Sequence, residues 1–133
     1  MNATEIRLNQ TSIVQYVMLG RAGSTLCIAM EALALQSILF AKIEPLVVAG
    51  DNVADLARVG SRAAGDALAD CRDHVSSGDV IGVVDCLTRA VSGHRAAKNL
   101  LAAIAEVGDA EVGILAQLGI NLAMSVMSDL GCE

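Results

Sequence analysis

Apolar positions dominate two stretches of the chain and alternate with charges between them. From Ala22 to Ala41 twenty residues carry one charge, Glu31, and Arg21 and Lys42 bracket the run. Leu26, Ile28, Met30, Leu33, Leu35, Ile38, Leu39 and Phe40 point in nearly every direction around a helix. A helix apolar all round has to be buried by a bundle, a partner, lipid or some other hydrophobic body. A second stretch, Val112 to Ser128, is uncharged over seventeen residues.

Turn residues divide the chain. GRAG at 20–23 separates an opening segment, with Ile6, Ile13 and Val17 on one side, from the first apolar run. Glu44-Pro45 ends that run, because the residue before proline is pushed out of the α region. Gly50-Asp51 offers a stop and an N-cap, Ser76–Asp79 a turn with Gly78 as stop and Asp79 as cap, and Gly108-Asp109 a last break or kink. Helices are therefore predicted over 4–19, 24–43, 51–75, 79–107 and 110–129, with no strands.

The two middle helices are amphipathic. Val53, Leu56, Ala57, Ala64, Ala67, Cys71 and Val75 form one stripe, with Asp55, Arg58, Arg62, Asp66, Asp70 and Asp73 opposite. Val80, Val83, Val84, Leu87, Val91, Leu101 and Ile104 form the other, with Asp85, Arg89, Arg95, Asn99 and Glu106 facing away. Arg62–Asp66 and Asp85–Arg89 are spaced for i,i+4 ion pairs. A hairpin about Gly78 brings Cys71 and Cys86 together on the inner face and sets Ala67 near Ala90. Two reduced thiols then fill a close seam, with a disulfide as the other reading. The expected fold is all-α: one domain over 1–133, an antiparallel bundle of four main helices with a short extra N-terminal helix.

Composition narrows the function. With 54% hydrophobic but 2% aromatic residues, no Trp and a net charge of −6, the chain has neither stacking platforms nor a basic face for nucleic acid. Cys27, Cys71, Cys86 and Cys132 lack CxxC spacing and paired histidines, so no structural zinc site is expected. The polar opening MNATEIRLNQTS has no basic n-region or apolar h-region, and a cytoplasmic location is expected.

Candidate chemistry is sparse. His94 sits on the apolar stripe of its helix and reads as a core or interface histidine; His74, near the turn, is too far along the hairpin to join it. Glu31 either pairs with Arg7 or Arg21 or faces solvent. Glu106 and Glu111 do not start the Glu-x-x-His motifs of di-iron bundles, and no GxGxxG or GxxxxGK[ST] cradle is present. No catalytic residue, cofactor or metal is expected, and the chain does not read as an enzyme. The contact helices are expected to present Leu26, Met30, Leu33, Ile38, Phe40, Leu115, Leu118 and Leu122.

The segment PLVVAGDNVADLARVGSRAAGDALADC, the turn SSGDV, and VVDCLTRAVSGHRAAKNLLAAIAEV together resemble the phasins, helical proteins that coat bacterial polyhydroxyalkanoate granules. The likeness covers Leu35 to Leu118; the single Phe and the very apolar flanks depart from it. It implies a non-catalytic protein whose apolar faces adsorb to a polyester surface while the charged hairpin faces water. The apolar surplus fits equally a homo-oligomeric or filament-forming bundle subunit. A small integral-membrane protein is the third reading, against which Glu31, Gln36, Gln117 and Asn121 count.

Overall fold

A computed structural model describes residues 26–48, 50–75 and 80–131. These residues are all-α. Helix α1 covers 26–43 and tightens into a 3-10 turn at Glu44–Leu46. Then follow α2 (Asn52–Val75), α3 (Val80–Val107) and α4 (Ala110–Asp129). The predicted 4–19 helix, Arg7, Arg21, the GRAG and SSGD turns and Cys132 lie outside the described residues.

Local chemistry explains the boundaries. Pro45 stands in the first turn of the 3-10 segment, and Val47 leaves it in an extended conformation. Gly50 then takes a positive φ of 89°, which suits a residue without a Cβ. Asp51 Oδ1 accepts from Val53 N at 2.8 Å and opens α2. Asp109 caps α4 by accepting from Val112 N at 3.0 Å, so Gly108-Asp109 is a full break.

The helices pack up-down-up-down, α2 against α3 and α3 against α4. Helix α1 touches all three others through one polar contact each. Ser37 and Ser61 of α2 exchange hydroxyl-to-carbonyl bonds of 3.0 and 3.1 Å. Gln36 Nε2 donates to the Gly119 carbonyl of α4 at 2.8 Å. His94 of α3 meets the Ala29 carbonyl at 3.0 Å. This polar belt lies between two apolar clusters. One contains Leu26, Leu33, Cys71, Val83, Cys86 and Val126; the other contains Phe40, Ile43, Val53, Leu101, Ile104 and Val112.

Small residues take many of the inward positions beside the large side chains that fill the core. The buried positions of α4 include Ala116, Gly119 and Ala123, and those of α2 include Ala54, Ala57, Gly60 and Ala64. Gly60 lies under the Phe40 ring, and a Cβ at Gly93 would sit 2.9 Å from Ala67 Cβ and 3.0 Å from Leu33. Small residues on these seams let the helix axes approach closely. Large residues are displaced outward, and Ile28, Leu35, Ile38, Val59, Ile114, Leu118 and Met124 are exposed.

Two local expectations are corrected. Val84 faces solvent, because Val83 and Leu87 already define the inner side of α3. The intrahelical pairs Arg62–Asp66 and Asp85–Arg89 do not form. Arg89 instead crosses the seam to Asp70 at 3.5 Å and donates to His74 Nε2 at 3.2 Å. Arg58 ties α2 to the 3-10 turn through Glu44 at 3.0 Å and also meets Asp55. All of these pairs are exposed and contribute little.

Candidate functional site

Three places bring chemistry-bearing groups together: the polar belt, the cysteine seam, and the outer side of α1 and α4. In the belt, His94 and Gln36 are fully buried. Ala29 O can only accept, so the imidazole proton sits on Nε2 and leaves Nδ1 as a bare lone pair. Gln36 donates through Nε2 and rests Oε1 against the Gly119 backbone. Neither His94 Nδ1 nor Gln36 Oε1 has a hydrogen-bond partner. Burial lowers the His94 pKa, and the Ala29 bond opposes this weakly. Through this bond the imidazole ties α3 to α1.

At the other end, Cys71 Sγ donates to the Cys86 carbonyl at 3.4 Å. Both thiols are buried. Burial first, then the hydrogen bond with Cys86, pushes Cys71 up to about 12. Burial also raises Cys86, partly offset by its bond with Cys71. A nucleophilic cysteine needs the opposite environment. Among the described residues no three His, Cys, Asp or Glu side chains gather as metal ligands. An open groove over the α2–α3 seam is lined by Asp66, Asp70, Asp85, Thr88, Arg89 and Ser92. Its arginine already engages Asp70 and His74.

Charge is unevenly spread over the outer surface. Between residues 26 and 43 the charges are Glu31 and Lys42, and in α4 they are Glu111 and Asp129 near its ends. In contrast, α2 and α3 carry charges along their whole length. Outward on the α1–α4 side stand Ile28, Leu35 and Ile38, with Ile114, Leu118 and Met124, each 50–64% exposed. Val59 of α2 and Ile81, Val84 and Val107 of α3 are exposed to 51–73%, but among charged neighbours. Gln117 and Asn121 bond to each other at 2.9 Å on the same helix. By length and composition alone Leu26–Leu46 and Ala110–Asp129 are also apolar enough to cross a membrane.

The expected contact residues divide between inside and outside. Leu26, Leu33 and Phe40 are wholly inside the bundle, and Met30, Leu115 and Leu122 pack half-buried against its clusters. Ile38 and Leu118 face outward. Ile28, Leu35, Ile114 and Met124 share that outer surface and were not singled out by their spacing. On α4 the signal was the complementary one, Ala116, Gly119 and Ala123 at helical spacing on the inner side. Helix α1 carries large apolar residues on both sides, and its own sequence offers no such signal. Glu31 also faces solvent, on the outer side of α1.

No protein-family model, curated protein or solved structure matches this chain.

Proposed function

We propose that this chain is a non-catalytic structural protein that coats a hydrophobic body, in the manner of the phasins, with its α1–α4 side as the contact surface. The observation that carries the reading is the segregation of the outer surface. Exposed apolar side chains on α1 and α4 stand with few charges among them, whereas those of α2 and α3 (Val59, Ile81, Val84 and Val107) are interspersed with charges along both helices. Adsorption scales with apolar area removed from water. Covering a half-exposed Leu or Ile contributes about 1 kcal/mol, so several such residues together give a firm attachment. The charged α2–α3 side then faces water, and the net charge of −6 keeps coated bodies apart.

The test is adsorption to hydrophobic polyester beads in the absence of detergent. Leu118→Glu on α4 is expected to weaken the isotherm several-fold, while Val59→Glu, equally exposed on α2, leaves it unchanged. Equal loss in both variants, or no adsorption by the parent chain, would overturn the reading.

A further inference from the structure

The exposed residues of α1 follow a second pattern that the bundle itself does not use. Ile28, Glu31, Leu35, Ile38 and Lys42 are all exposed and succeed one another at spacings of three, four, three and four. Positions repeating at 3.5 residues form a straight seam along one helix, the register of a coiled-coil contact. The buried residues of α1, from Leu26 through Ala29, Leu33, Gln36 and Phe40 to Ile43, occupy the opposite side. The outer seam is exposed, so a contact there leaves the described bundle intact.

The order of residues along this seam is self-complementary. Place a two-fold axis beside Gln36 and Ser37, perpendicular to the helix. Leu35 then lies opposite Ile38 of a second copy, and Ile38 opposite its Leu35. Glu31 faces Lys42 of the second copy, and Lys42 its Glu31. The seam's only two charges are thus opposite in sign and symmetric about its apolar centre. They stand about 16 Å apart at 1.5 Å per residue, long enough to flank two apolar layers. Neither makes an ion pair among the described residues. A parallel pairing in register would set Glu31 against Glu31 and Lys42 against Lys42, which like-charge repulsion disfavours.

We infer that the outer face of α1 pairs with the same face of a second copy, antiparallel about a two-fold axis, through a Leu35–Ile38 centre closed by two Glu31–Lys42 ion pairs. This is the isologous geometry of a closed dimer, in which one surface meets itself. The pair covers the α1 half of the proposed contact side, so a paired chain meets a hydrophobic body through α4 alone. The outer residues of α4, Ile114, Leu118 and Met124, remain free in the pair to meet a hydrophobic body.

Sedimentation equilibrium of the whole chain and its charge variants provides the test. The parent chain is expected to form a concentration-dependent dimer. Glu31→Lys and Lys42→Glu each turn both ion pairs into repulsions, and each is expected to raise the dimer dissociation constant about ten-fold or more. Mixed together, the two single variants carry 31/42 pairs of opposite sign at both ends, so the mixture regains the dimer. The E31K/K42E double variant regains it alone. All of these positions are exposed, and circular dichroism confirms that the variants stay folded. A monomeric parent overturns the inference, as do a dimer indifferent to single charge reversal and a mixture that stays monomeric. Bead adsorption of the same variants reports separately on the coat reading.

Discussion

Gly60→Ala tests the packing of α1 on α2, and Gly113→Ala serves as its internal control. Both substitutions place a methyl group on a helical backbone, at the ninth position of α2 for Gly60 and at the fourth of α4 for Gly113. At Gly113 nothing lies within 4 Å of the new Cβ. The gain is then the intrinsic preference of Ala over Gly in a helix, about 0.5–1 kcal/mol. At Gly60 the Cβ runs into the Phe40 ring, which is fully buried and backed by Ile43, Val53 and Ala57. Overpacking a filled core costs about 1–3 kcal/mol, so the net effect after the propensity gain is a loss of about 1–2 kcal/mol. The two variants are thus expected to differ by about 2 kcal/mol with opposite signs. Urea unfolding followed by circular dichroism at one temperature measures the difference, and melting temperatures are expected to separate by roughly 8 °C at this chain length. Stabilisation of Gly60→Ala to the same degree as Gly113→Ala would refute the close approach of Phe40 to α2.

Removing the α4 cap in Asp109→Ala frees Val112 N and is expected to lower stability by about 1 kcal/mol in the same assay. Burial lowers the folded His94 pKa, while the unfolded imidazole titrates near 6.5, so the unfolded chain binds the extra proton first. Stability from this site is then present above pH 6.5 and lost as pH falls through the folded value. His94→Gln, whose amide can still donate to Ala29 O, is expected to flatten that pH dependence relative to the parent. Thiol alkylation mapped by mass spectrometry is expected to label exposed Cys27 quickly, and buried Cys71 and Cys86 only at the rate of bundle opening. Fast labelling of Cys71 in the native chain would show that the α2–α3 seam is looser than described.

Helix boundaries were legible in the sequence because Pro45, Gly50-Asp51 and Gly108-Asp109 act locally. Proline removes a donor and restricts its predecessor, and each Asp caps a backbone N–H a few residues on. The amphipathic faces of α2 and α3 were legible for the same reason, since their charges mark the wet side. The orientation of α1 was not. Its residues are apolar in every direction, and hydropathy cannot tell Leu33, which is buried, from Leu35, which is exposed. What decides is the partner surface: Gly60, Gly93 and Gly119 leave space where Phe40, Leu33 and Gln36 enter. The same argument applies to the middle of α4, where Ala116, Gly119 and Ala123 face inward and Ile114, Leu118 and Met124 stand outside. The outer contact side follows from what the small-residue seams displace. It is visible in sequence only to a reading that follows side-chain size as well as polarity. The intrahelical ion pairs misled for a related reason. A close seam brings Asp70 and His74 of α2 within reach of Arg89.

The central claim is that the α1–α4 side is the contact surface, and hydroxyl-radical footprinting of the bead-bound chain tests it most directly. Met124 stands exposed on α4 and is expected to be oxidised in the free protein, while its neighbour Met127 is buried. Adsorption is expected to protect Met124, Leu118 and Ile114 strongly while Val59 and the α2–α3 side stay as reactive as in solution. Protection of Val59 and the α2–α3 side, with Met124 still oxidised on the bead, would contradict the account.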